Sequence, residues 1–139
     1  MIFRDSILAN IVLFEGESEI DFEKLDESIK KSGLSPLIDN LEDGLYTIIK
    51  DAGSNLSGGE RQRIEIARAL YKDNPIILID EATSALDLKM AVDIEEIFAK
   101  LDKTLVSISH RRDIDYSKYY GKIIEIKDKK TKEISVNKM

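Results

Sequence analysis

Two apolar runs with a β-branched bias, the continuous Ile76–Ile79 and Leu105–Ile108 with only Ser107 within it, do most to limit what this chain can fold into. Neither run alternates with polar residues. Ile76–Asp80 and Leu105–Ser109 therefore read as strands buried on both faces. Between them, Asp87 can cap a helix over roughly Leu88 to Leu101, with Ile94, Ile97, Phe98 and Leu101 pointing inward. Strand–helix–strand order implies a parallel sheet with a right-handed crossover, so the expected class is α/β.

The remaining elements fit around that unit. Ser57 can cap a helix beginning at Gly58 or Gly59, with Ile64, Ala67 and Tyr71 on one face and Leu70 beside them. Asn74-Pro75 stops it. Lys122–Lys127 and Glu133–Val136 flank a polar turn, Asp128–Lys132, and read as a terminal antiparallel hairpin. Residues 1–55 are acidic and helical in pattern. There Phe22, Leu25 and Ile29 follow a possible Asp21 N-cap, and Gly33 can close that helix. A loop-like stretch then runs through Asp39, Asn40, Asp43 and Gly44, and again from Asp51 to Asn55. The expected division is a helical part over 1–55 and a strand–helix–strand part over 56–139.

Composition removes several function classes. A chain of 139 residues with 42% hydrophobic content can build one small core and is not of disordered composition. It has no Cys, which excludes disulfides and thiolate metal sites and suits a reducing cytoplasm. A net charge of −6 opposes non-specific nucleic-acid binding. Lys127, Lys129, Lys130 and Lys132 cluster, but acidic residues lie among them, as on a solvated hairpin. The apolar runs are too short to span a bilayer, and Met1–Asp5 lacks the basic-then-apolar order of a signal peptide.

In open parallel sheets, ligands bind beyond the carboxyl ends of the strands. Asp80-Glu81 and Ser109-His110 fall at such ends. An Asp ending a buried strand can serve Mg²⁺ through oxygen, an adjacent carboxylate can deprotonate a water, and a histidine can reach a transferring phosphate. Strands often end in acidic residues without any such role, so this pair alone is a weak signal. Ser57-Gly58-Gly59 adds backbone amides at a helix N-terminus, a ready anion site, though a capped Gly-rich helix start needs no ligand.

The combination is more specific. Leu56-Ser57-Gly58-Gly59-Glu60-Arg61-Gln62-Arg63, Ile76–Glu81, Ser84–Asp87 and His110 occur in the order and spacing of the ATP-binding-cassette (ABC) ATPases. The chain resembles the C-terminal part of their nucleotide-binding domain. That resemblance implies a partial P-loop NTPase fold: a helical subdomain, a βαβ half-sheet and a C-terminal β-hairpin. It also implies roles. Leu56, Ser57, Gly58, Gly59 and Glu60 match the signature motif, which contacts the γ-phosphate of ATP held by an opposite subunit. Asp80 matches the Walker B aspartate, serving Mg²⁺ through water, and Glu81 matches the catalytic base. Ser84, Ala85, Leu86 and Asp87 match the D-loop at the dimer interface, and His110 matches the switch histidine.

Ile2–Ile7 with Asn10-Ile11, Thr47–Gly53 and Glu81–Ser84 are similar to the exporter branch of that family, rather than to its translation-associated or chromosome-type branches. Departures are Glu60 for the usual Gln, Lys50 for Gly, Asp51 for Glu, and Tyr119-Tyr120-Gly121 in the tail. The lysine loop G-x-x-x-x-G-K-(S/T), or Walker A, has no counterpart in these residues. The implied cofactors are ATP and Mg²⁺. The implied partners are a second nucleotide-binding domain in a two-fold dimer, transmembrane domains, and a separate N-terminal half carrying the lysine loop. No nucleic acid is implied. The implied location is cytoplasmic, peripheral on the inner face of the cell membrane. The competing expectation is a truncated, non-autonomous fragment or interaction subunit without ATPase activity of its own.

Overall fold

A computed structural model of the chain describes residues 2–50 and 53–134. Asp51 and Val136, which the sequence places in a loop and a strand, lie outside the described residues. Among the described residues, five α-helices and four strands follow in order: α1 (Ile7–Val12), α2 (Phe22–Lys31), α3 (Ser35–Asp39), α4 (Gly58–Lys72), β1 (Ile76–Asp80), α5 (Leu88–Ala99), β2 (Thr104–Ile108), β3 (Ile123–Lys127) and β4 (Lys130–Ile134).

The helix starts are local hydrogen-bond solutions. Ser6, Asp21, Ser57 and Asp87 each use a side-chain oxygen to accept an amide of the first turn of α1, α2, α4 and α5. Helix α2 runs as its pattern predicts, with Leu25 and Ile29 buried, but Phe22 is 57% exposed. Gly33 follows at φ +71°, and a Cβ there would lie 2.7 Å from Met90 Cε. Helices α1 and α3 carry no periodic signal long enough to read. Helix α1 is held by Asn10, fully buried, whose amide bonds Phe3 at both N and O and also Ser6 O.

Helix α4 is the shaft of the structure. Ile64, Ala67 and Tyr71 join α1 and α2 in one core, while Ile66 joins β1 and α5 in a second. Asp73 ends it in the left-handed region, just before Asn74-Pro75.

Strands β1 and β2 pair in parallel, from Ile76 opposite Thr104 to Asp80 opposite Ile108. The expected burial on both faces does not hold. Successive side chains point to opposite faces. Helix α5, with Ile94 and Phe98, covers Ile77 and Ile79 on one face only. Ile76, Leu78, Val106 and Ile108 are exposed on the other, Leu78 at 77%. No described element packs there. The terminal hairpin is also tighter than its polar run suggests. Lys127 pairs with Lys130, and Asp128 and Lys129 alone make the turn, both at positive φ.

Candidate functional site

The capped start of α4 is a reciprocal box. Ser57 Oγ accepts from Glu60 N at 3.2 Å, and Glu60 Oε2 accepts from Ser57 N at 2.6 Å. That backbone bond holds the Glu60 carboxyl below its ordinary range. Gly58 and Gly59 follow, and their amides have no acceptor among the described residues. Packing is also tight around both glycines. A Cβ on Gly58 would lie 3.3 Å from Ala85 Cβ, and one on Gly59 would lie 3.2 Å from Ala85 O. The Ser84–Asp87 loop therefore rests directly on the helix start. Leu56 is buried beneath it, and Arg61 Nη1 donates to both Gly53 O and Leu56 O.

Two residues to which the sequence reading gave no role hold this loop. Gln62 donates to Glu81 O at 3.1 Å and Ser84 Oγ at 2.8 Å, and accepts from Ala85 N at 3.0 Å. Arg111 donates through Nη1 to Thr83 O at 2.7 Å and Leu86 O at 2.8 Å. Its Nε and Nη2 form a bidentate pair with Asp113, which raises the guanidinium pKa and lowers that of the carboxyl. Leu86 is buried in the second core, and Asp87 turns away to cap α5.

The strand ends complete the site. Asp80 closes β1 with an exposed carboxylate that has no partner among the described residues. Glu81 follows at φ +50°, an uncommon conformation for a residue with a side chain, and its amide still donates to Ile108 O. That turn brings Glu81 Oε1 to 3.3 Å from His110 Nε2. His110 is 82% exposed and, with Glu81, Ser84, Ser109 and Arg111, lines a cleft of about 220 Å³. A larger hollow lined by α2 residues and Asp73 lies elsewhere and holds none of these groups.

The donor set suits a magnesium nucleotide only in part. Among the described residues no group of three or more His, Asp or Glu side chains could hold a metal unaided. A free Asp80 carboxylate fits an ion that keeps most of its waters and takes the rest of its ligands from phosphate, as Mg²⁺ does. The unpaired Gly58 and Gly59 amides fit a phosphate oxygen.

Residues 4–84 match the family model described as ABC transporter. The chain belongs to the ABC transporter family. Among curated relatives, it is 43% identical over 114 residues to an ATP-dependent lipid A-core flippase of Ralstonia nicotianae and 39% identical over 112 residues to that of Vibrio cholerae serotype O1. These alignments cover 80% and 79% of this chain. A solved structure, a bacterial Atm1-family ABC exporter with ATP bound, superposes with a TM-score of 0.71 at 38% identity over 79% of this chain. The chain spans 19% of the length of each of these three proteins. The α/β arrangement above thus matches part of the ATPase region of an ABC exporter, as the resemblance implied. No described helix is long and apolar enough to cross a membrane.

Proposed function

We propose that this chain is the ATP-hydrolysing component of an ABC-type exporter. In this reading it acts with a lysine loop supplied from outside these residues. The observation that carries the reading is the 3.3 Å approach of Glu81 to His110 at adjacent strand ends, beside a helix start with two free amides. Chemistry at such strand ends needs a base and a charge-steadying group in one place.

Glu81 has the position to accept a proton from an attacking water. His110 steadies the carboxylate and can donate toward the γ-phosphate. Asp80 would hold Mg²⁺, and that ion would neutralise phosphate charge when bound. Ser57, Gly58 and Gly59 face away from Asp80's own nucleotide in this reading and serve ATP held by a second nucleotide-binding domain, in a two-fold arrangement. Leu56 anchors that segment in the core, and Glu60 fixes its first turn. Ser84, Ala85, Leu86 and Asp87 form the loop at the two-fold interface, joining one site to the other. Transmembrane domains would receive the resulting motion, with the chain on the cytoplasmic face of the membrane. Its net charge of −6 supports a partner other than nucleic acid.

The test is ATP turnover by the chain mixed with a polypeptide carrying the lysine loop. Glu81→Gln is expected to abolish turnover while nucleotide binding persists. Turnover that survives Glu81→Gln sinks the assignment of the base. Robust turnover by the chain alone sinks the requirement for a completing partner.

A further inference from the structure

We propose that Arg111 is a positioning residue that locks His110 to the Thr83–Leu86 loop, so that movement of the loop changes the Glu81–His110 spacing. The inference rests on the functional reading above.

Arg111 follows His110 directly, so their Cα atoms are about 3.8 Å apart through one planar peptide. Its backbone amide donates to Ser109 Oγ at 3.2 Å, and Ser109 Oγ lies 2.6 Å from Tyr116 Oη. Residues 109–111 are thus tied to one another and to the following segment. From that base the guanidinium reaches across to the loop. One nitrogen, Nη1, donates to the carbonyls of both Thr83 and Leu86, which bracket Ser84 and Ala85. Asp113 takes the other two nitrogens and fixes the plane of the fork. The Arg111 side chain is only 15% exposed, so water does not readily replace these bonds. A planar fork with three bonded nitrogens transmits displacement more faithfully than a flexible ammonium does.

Gln62 grips the same loop from the α4 side, at Glu81 O, Ser84 Oγ and Ala85 N. The loop is therefore held between the helix start and the residue after His110. A shift of the loop against α4 must be shared by Arg111, and through one peptide bond by His110. Coupling through a continuous hydrogen-bonded chain of this kind is measurable as non-additivity between positions.

The chain contains one histidine, so its imidazole gives a single identifiable pair of carbon–proton NMR signals. Glu81→Gln is expected to shift those signals in the otherwise unchanged chain. In the Arg111→Ala and Arg111→Lys backgrounds that response should be lost, because Ala has no donor and a Lys ammonium lacks the planar fork that Asp113 holds in place. An undiminished response to Glu81→Gln in Arg111→Ala overturns the proposal, and so does full restoration by Lys. Should Arg111→Ala fail to fold, Asp113→Asn serves instead, since it keeps Arg111 and frees only its plane. It should weaken the response, and an unchanged response there overturns the proposal equally. In an assembly completed by a lysine-loop partner, Arg111→Lys should lower kcat by about tenfold to a hundredfold with KM for ATP nearly unchanged. A rise in KM with kcat preserved contradicts a positioning role. Lack of turnover by the unsubstituted assembly would count against the functional reading, while the NMR result would still decide the role of Arg111.

Discussion

The backbone amide of Ala85 donates to Gln62 Oε1 at 3.0 Å, while the same side chain donates to Ser84 Oγ at 2.8 Å. One amide thus satisfies a loop that would otherwise have to find water. Gln62→Ala should free the Ala85 amide and cost about 1 kcal/mol, the scale of a partly exposed hydrogen-bond loss. Hydrogen exchange at Ala85, with urea unfolding alongside, checks this. Unchanged protection at Ala85 would show that the loop holds itself.

Glu60 gives a pH dependence with a defined sign. Its bond from Ser57 N depresses the folded carboxyl pKa below the ordinary 4.5. The stabilisation is therefore complete above that value and is lost as pH falls through the folded value. Glu60→Gln keeps the capping geometry without the charge. The variant should lack this acid-range loss when melting temperatures are compared across pH. It should also lower the KM for ATP about two- to fivefold in a partner-completed site, by removing an anion beside the helix start. A variant whose acid limb matches that of the parent would contradict the assignment.

Glu95 behaves oppositely. Its side chain is buried on α5, and Tyr120 Oη donates to it at 2.8 Å. Burial raises the carboxyl pKa and also pushes the Tyr120 phenol up. A folded pKa above the unfolded one means stability is greatest below about pH 4.5 and declines as pH rises through the folded value. Glu95→Gln preserves an acceptor for Tyr120 and should stabilise the chain at neutral pH by on the order of 1 kcal/mol. That gain should vanish in acid. Denaturant titrations at both pH values decide it, and equal effects at each would refute the burial cause.

The uncovered face of the β1–β2 sheet predicts association. Ile76, Leu78, Val106 and Ile108 form an apolar surface beside strands that, among the described residues, each have only one partner. The chain by itself should sediment as oligomers, and Leu78→Lys should shift it toward monomer with little change in secondary structure. A chain that is already monomeric at high concentration would show that this face tolerates water.

Much of the site was legible because its parts are local. Ser57 and Glu60 are three residues apart, as are Asp87 and Met90, and capping chemistry at that spacing needs no distant neighbour. The strands, the ends of α2 and α4, and the positions of Asp80, Glu81 and His110 at strand ends followed from the same short-range rules. Helix α1 was missed because six residues carry too few turns for a period, and it is held by tertiary contacts: Ile7, Ile11 and Val12 are buried in the core shared with α4, beside the buried Asn10.

By itself, then, the sequence determined α2, α4, α5 and the strands, the caps at Asp21, Ser57 and Asp87, and the family. Tertiary structure alone decided which strand face is covered, because one run of apolar residues suits either one neighbour or two. It also decided that Gln62 and Arg111 hold the loop. Their partners lie 19 to 28 positions away along the chain, and such bonds depend on how helix and strands pack rather than on any local preference.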